Sequence, residues 1–217
     1  MLLTLLLDLD GTLVDSVPDL AASLNRLMTT RGLPPFAMPE VARMVGDGVR
    51  VLLERAFSAR GDGAPTRRDL DAFMADYAEH LTDATRPYPG AEAALDRLRG
   101  EGWAIAVCTN KPEALARGVL AGTGLLPLVS AIGGGDSFPV RKPDPGHLRA
   151  TLARAGGDPA GAIMAGDHRN DVQAARAAGM PAVFAAWGYG APGMEHGADA
   201  VARDFADLAE IARRLRP

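Results

Sequence analysis

One cysteine, Cys108, among 217 residues excludes an intramolecular disulfide. Its place in the apolar run 103–108 favours a buried, inert thiol over a nucleophile. Long hydrophobic runs are absent too. The opening stretch, residues 2–7, has no basic residue before it and meets Asp8 at once, too short for a signal sequence or a membrane span. Cytoplasmic location is therefore the default expectation, with no membrane partner. No dense stripe of Lys and Arg occurs, and the formal net charge is -4, which argues against nucleic acid as a partner. Lysine itself is scarce: of 23 basic residues only Lys111 and Lys142 are lysine. In a chain that writes arginine almost everywhere, a retained lysine suits a place where a compact ammonium must approach an oxyanion. For Lys111 chance retention is an equal alternative.

What is present is ample apolar content, 47% of the chain, enough for a real core. The run 2–7 reads as a buried parallel strand that ends in Asp8-Leu9-Asp10-Gly11-Thr12. Side chains two apart leave a strand on the same face, so Asp8 and Asp10 converge. Two such carboxylates about 7 Å apart repel by roughly 2 kcal/mol at an effective dielectric near 20, which calls for a cation or a shared proton. The bland alternative is a helix-capping aspartate followed by a turn aspartate.

Apolar periodicity then predicts helices over residues 18–32, 39–57 and 67–80, the second interrupted at Gly46-Asp47-Gly48, with a Gly/Pro-rich loop at 58–66. No strand signal occurs there. The expected organisation is a core domain of residues 1–15 and 87–217 and a helical cap domain of residues 16–86 inserted into it. From Pro87 onward strands alternate with helices: strands at 103–108, 129–132, 162–165 and 181–185, and helices over 90–99, from Pro112, to about 155, to 178 and over 204–215. This pattern predicts an α/β fold with a doubly wound, mostly parallel, Rossmann-like sheet.

Polar groups stand at the carboxyl ends of three of these strands, where ligands collect in such sheets: Asp8 and Asp10, Thr109 and Asn110, and Asp167. Lys142 sits on a loop that can reach the same rim, and Asp171 follows Asp167 by one helical turn. The ordered set, carboxylate pair, hydroxyl, ammonium, carboxylate pair, resembles the haloacid dehalogenase-like phosphohydrolases along the whole chain. Asp15-Ser16-x-Pro18-Asp19, Tyr88-Pro89-Gly90, Thr109-Asn110-Lys111 and Lys142-Pro143-x-Pro145 are similar to the phosphoglycolate phosphatase branch.

That resemblance implies a Mg²⁺-dependent phosphatase for a small phosphorylated metabolite, 2-phosphoglycolate foremost, acting through an aspartyl phosphate. Asp8 would be the nucleophile, and Asp10 would protonate the leaving alkoxide and later take a proton from water. Asp8, Asp167 and the backbone carbonyl of Asp10 would hold the metal, all hard oxygens as Mg²⁺ prefers. Asp171 would hold a metal-bound water or orient Lys142. Thr109 and Asn110, aided by the positive end of the helix from Pro112, would bind phosphate, and Lys142 would neutralise charge. Arg50, beside the Gly46-Asp47-Gly48 break, is a candidate for a substrate anion or simply a solvated arginine. Lys111 is open between a surface position and a substrate contact. His168 stands where relatives carry Ser or Thr, and a hydrogen-bonding role is expected for it rather than ligation. His80, His147 and His196 have no ligand spacing and are expected to be surface or packing residues.

A sugar-phosphate phosphomutase or a pyrophosphatase of the same superfamily remains open, as does either a phosphoacceptor receiver module or an inactive binding homologue. A monomer or homodimer is expected.

Overall fold

In the computed structural model, which describes residues 2–215, the opening run forms β1 (Thr4–Leu7), every residue of it buried. The chain continues through β2 (Val14–Asp15), α1 (Val17–Thr30), α2 (Met38–Ala42), α3 (Val49–Ala59), α4 (Arg67–Glu79) and β3 (Arg86–Pro87). It then alternates: α5 (Ala91–Gly100), β4 (Ala104–Cys108), α6 (Glu113–Gly122), β5 (Ala131–Gly133), α7 (Pro145–Arg154), β6 (Ala162–Gly166), α8 (Arg169–Ala178), β7 (Ala182–Ala185), β8 (Ala200–Ala202) and α9 (Phe205–Leu215).

The main sheet is six-stranded and parallel throughout, in the order β5-β4-β1-β6-β7-β8. Strand alternation divides its side chains between two apolar clusters. Leu5 and Leu7 join Ile105, Val107, Ile163 and Ala165 against α5, α6 and α9, whereas Leu6 joins Ala106, Met164 and Ala182 against α7 and α8. This is the doubly wound α/β architecture expected from the alternating pattern. β1 lies between β4 and β6, so the ends of the three most buried strands meet at the crevice where strand order reverses, the place where such sheets bind ligands.

Helices α1 to α4 carry a third apolar cluster of their own, built from Leu24, Met28, Leu53, Phe57, Phe73 and Tyr77, with Leu115 of α6 packed into it. Thr66 caps α4, its hydroxyl accepting from Asp69 N at 3.3 Å while Asp69 returns a carboxylate to Thr66 N at 2.8 Å. Both chain crossings between this helical insertion and the sheet are paired with each other. β2 and β3 form an antiparallel ribbon in which Val14 faces Pro87 and Asp15 faces Arg86.

Three details differ from expectation. The third strand of the sheet forms at 131–133 rather than 129–132, because residues 126–128 make a tight helical turn first. β8 and the β2/β3 ribbon were not expected, being two or three residues long and held by partners distant in sequence. No helix among the described residues is long and apolar enough to cross a membrane.

Candidate active site

β1 stops at Leu7, and the turn after it is organised around Leu9, whose carbonyl accepts from Thr12, Leu13 and Val14 N–H groups at 3.2, 2.9 and 3.1 Å. Gly11 has φ +84° and a Cβ there would overlap Asp167 Oδ2, so glycine is required on both counts. The turn leaves Asp8 buried and aimed at the ends of β4 and β6.

Asp8, Asp167 and Asp171 each offer a carboxylate oxygen within 4.8 Å of the others, all buried. Lys142 is the cation among them: its Nζ lies 3.0 Å from Asp8 Oδ1, 2.6 Å from Asp171 Oδ1 and 2.6 Å from the Cys108 carbonyl. Burial opposes its charge, yet Asp171 and Asp8 more than offset that and hold its pKa above the ordinary lysine value. Asp8 also accepts from Leu9 N at 2.7 Å. Asp167 accepts from Thr12 Oγ1 at 2.9 Å and Tyr189 N at 2.7 Å. Three carboxylates against one ammonium leave negative charge unmatched. Burial pushes the Asp8 carboxyl up to about 6, and burial with the Asp8 and Asp171 charges pushes Asp167 up to about 8. A donor set of buried hard oxygens with excess negative charge fits a hard divalent cation.

Asp10 faces a different partner. Lys111 Nζ lies 2.9 and 3.2 Å from its two oxygens, and Ser16 Oγ donates to it at 2.6 Å. Lys111 also donates to Tyr77 OH at 2.8 Å, with the ammonium 4.5 Å from the ring centroid. Asp8, Asp10 and Thr109 border a cavity of about 40 Å³, closed on the far side by Leu20, Val45 and Leu52 of the insertion. A second cavity of about 200 Å³ runs between Asp10, Asp167 and His168 on one side and Ala42 and Arg43 on the other.

Residues 5–185 match the family Haloacid dehalogenase-like hydrolase. The chain belongs to it. A phosphoglycolate phosphatase of Cereibacter sphaeroides (strain ATCC 17025 / ATH 2.4.3) is 45% identical over 84% of this chain and 84% of its own length. Another from Agrobacterium fabrum is 42% identical over 93% and 88%. The crystal structure of a predicted phosphoglycolate phosphatase from Haemophilus somnus superposes with a TM-score of 0.88 at 32% identity, covering 97% of each chain. This haloacid dehalogenase-like hydrolase is a phosphoric monoester hydrolase on the phosphoglycolate phosphatase-like branch.

Not every residue singled out in the hydrolase's sequence lies where expected. Thr109 borders the cavity, its own N–H donating to Gly133 O at 2.9 Å and its hydroxyl accepting from Lys111 N at 3.2 Å. Asn110 borders it too; its side-chain amide donates to the Gly46 and Lys142 carbonyls at 3.0 and 3.1 Å, tying insertion to sheet, so a phosphate contact from this residue would fall to its backbone. The first amide of α6, Glu113 N, is taken by Asp136 Oδ1 at 2.7 Å, which removes it from any phosphate site. Arg50 lies exposed on α3 and is not among the residues bordering either cavity. Asp171 Oδ1 accepts from Lys142 Nζ at 2.6 Å.

Lys111, by contrast, is buried. His168 caps α8: its Nδ1 accepts from Asn170 N at 3.3 Å and Asp171 Oδ2 accepts from His168 N at 3.0 Å, the reciprocal pairing that Ser or Thr makes at such a position. His147 packs fully buried beside the Lys142 loop, and burial first, then the Lys142 charge, lowers its pKa to about 4.

Sequence reasoning missed Tyr77 and Tyr189. Tyr189 OH accepts from Ser16 N and Val17 N at 2.8 and 3.2 Å and donates to Asp15 at 2.7 Å, so one side chain joins the insertion's entry to the Asp167 loop. The signal available was scarcity. The chain has only three tyrosines, and two of them touch this site.

Proposed function

We propose that the chain is a Mg²⁺-dependent phosphatase that hydrolyses 2-phosphoglycolate through an aspartyl phosphate on Asp8, with residues 16–86 acting as a cap over the site. The observation that carries the reading is the buried Lys142 bound to both Asp8 and Asp171 next to Asp167, with Asp8 also bordering a cavity of about 40 Å³. Relatives at 40–45% identity carry the name phosphoglycolate phosphatase.

Asp8 and Asp167, with the backbone carbonyl of Asp10, would hold Mg²⁺. Bound there, the ion would draw charge from the phosphoryl oxygens and from Asp8. Asp8 forms a P–O bond as the ester P–O bond breaks, and Asp10 gives its proton to the departing alkoxide. Asp10 then takes a proton from the water that attacks phosphorus, and the bond between phosphorus and the Asp8 oxygen breaks to release phosphate. Lys142 holds Asp8 in line and balances its charge. The insertion's apolar wall excludes water while the ester bond breaks.

The test is hydrolysis of 2-phosphoglycolate against a panel of phosphomonoesters with and without Mg²⁺, for wild type and Asp8→Asn. A loss of more than roughly 10³-fold is expected for the variant in a folded protein. Single-turnover transfer of labelled phosphoryl to water identifies a phosphatase, whereas its return to a sugar identifies a mutase. Undiminished activity of Asp8→Asn overturns the proposal.

A further inference from the structure

The small cavity has one end already assigned, Asp8 and Thr109, where the phosphoryl group would lie. The other end has a cation, paired with Asp10, to which no contact with the substrate has been assigned. Among the described residues bordering the cavity, Lys111 is the one cation, and the wall opposite is apolar, Leu20, Val45 and Leu52. A buried ammonium facing an apolar wall is an expensive arrangement unless something pairs with it. Both Asp10 oxygens, at 2.9 and 3.2 Å, and Tyr77 OH, at 2.8 Å, accept from it now; two of these three contacts go to one carboxylate, which one N–H can hold alone. A ligand carboxylate in the cavity would take the place of the longer Asp10 contact.

The residue type points the same way. In a chain with 23 basic residues and two lysines, one lysine holds Asp8 and the other stands here, where a compact ammonium can approach an oxyanion.

We propose that Lys111 recognises a carboxylate on the alcohol side of the substrate and so selects a two-carbon acidic phosphate ester over neutral esters of the same size. The inference rests on the reading of the enzyme as a 2-phosphoglycolate phosphatase and names the side chain responsible for it. Arg50, the sequence's candidate for that anion, lies exposed outside the cavity. The apolar wall sharpens the selection, because it offers a neutral hydroxyl nothing in exchange for its lost hydration.

The experiment compares kcat/KM for 2-phosphoglycolate and 2-hydroxyethyl phosphate, which replaces the carboxylate by a neutral group, in wild type, Lys111→Met and Lys111→Arg. Both variants disturb Asp10, so both substrates lose rate; the ratio between them isolates recognition. Wild type is expected to prefer 2-phosphoglycolate by roughly 10- to 100-fold, the range for a hydrogen bond to a charged group. Lys111→Met is expected to lose most of that preference, and its melting curve establishes that it is folded. Lys111→Arg keeps the charge; a rise in KM for 2-phosphoglycolate larger than for the neutral ester is expected there, and this readout stands if the Met variant does not fold. A wild-type preference that survives unchanged in the folded Met variant, or KM values that rise equally in the Arg variant, overturns the inference alone. Wild type that turns over both esters equally overturns the substrate reading together with it.

Discussion

Replacing Asp167 by asparagine in metal-free protein separates charge strain from structure. The carboxylate is buried beside Asp8 and Asp171, and its pKa is pushed from 3.8 to about 8. A carboxyl whose folded pKa lies above its unfolded value destabilises the fold progressively as pH rises from the lower value to the higher, and by a constant amount beyond. At about 1.4 kcal/mol per tenfold in proton affinity, the strain reaches about 5 kcal/mol at pH 8 and about 2 kcal/mol at pH 5. An amide removes it but can accept only one of the two bonds that Thr12 Oγ1 and Tyr189 N now donate. That loss costs about 1–3 kcal/mol at either pH. The two effects nearly cancel at pH 5, while at pH 8 a net gain of about 2–4 kcal/mol remains, roughly 4–16 °C in Tm for a chain of this size. The assay is thermal unfolding in EDTA at both pH values, repeated with Mg²⁺. Asp167→Asn should melt above wild type at pH 8 only, lack activity, and gain nothing from Mg²⁺ that stabilises wild type. A variant no more stable than wild type at pH 8, or equally stabilised at both pH values, refutes the reasoning.

Two further outcomes follow from the same geometry. Lys142→Met leaves Asp8 and Asp171 buried without their cation; a loss of about 3–5 kcal/mol is expected in denaturant titration at pH 7. The loss should shrink as Asp8, whose carboxyl pKa burial raises, takes up a proton toward pH 5. Gly46→Ala places a Cβ 2.6 Å from His168 Cδ2 at a residue with φ +119°, so the turn must leave Asn110 and Asn170, which both donate to its carbonyl. A stability loss of about 1–3 kcal/mol is expected from unfolding curves, with a rise in KM because the insertion no longer seats on the sheet.

The alternation of apolar runs and helical periods was enough to predict the doubly wound sheet, since burial on both faces demands continuous apolar strands, and β1, β4, β6 and β7 have them. Asp8, Thr109 and Asp167 were legible for a related reason: each directly follows such a strand, so local order alone delivers it to the crevice. Asn110 and Arg50 were not, because a side chain near the rim can turn toward a carbonyl or toward solvent, and neighbours in sequence do not decide which.

Lys111 shows the division most clearly. Composition marked it as one of two lysines, and its position on the β4–α6 turn left it free to point outward. Whether it did depended on Tyr77, thirty-four residues away on another helix, and on Asp10 across the sheet. Sequence by itself determined the central strands of the sheet, the polar residues at their ends and the family, because those follow from short-range periodicity and from residues fixed to strand ends. Tertiary structure alone decided which charges pair, how small the cavity is and which cation faces it, because an ion pair in a buried cavity is set by side chains that only folding brings within reach.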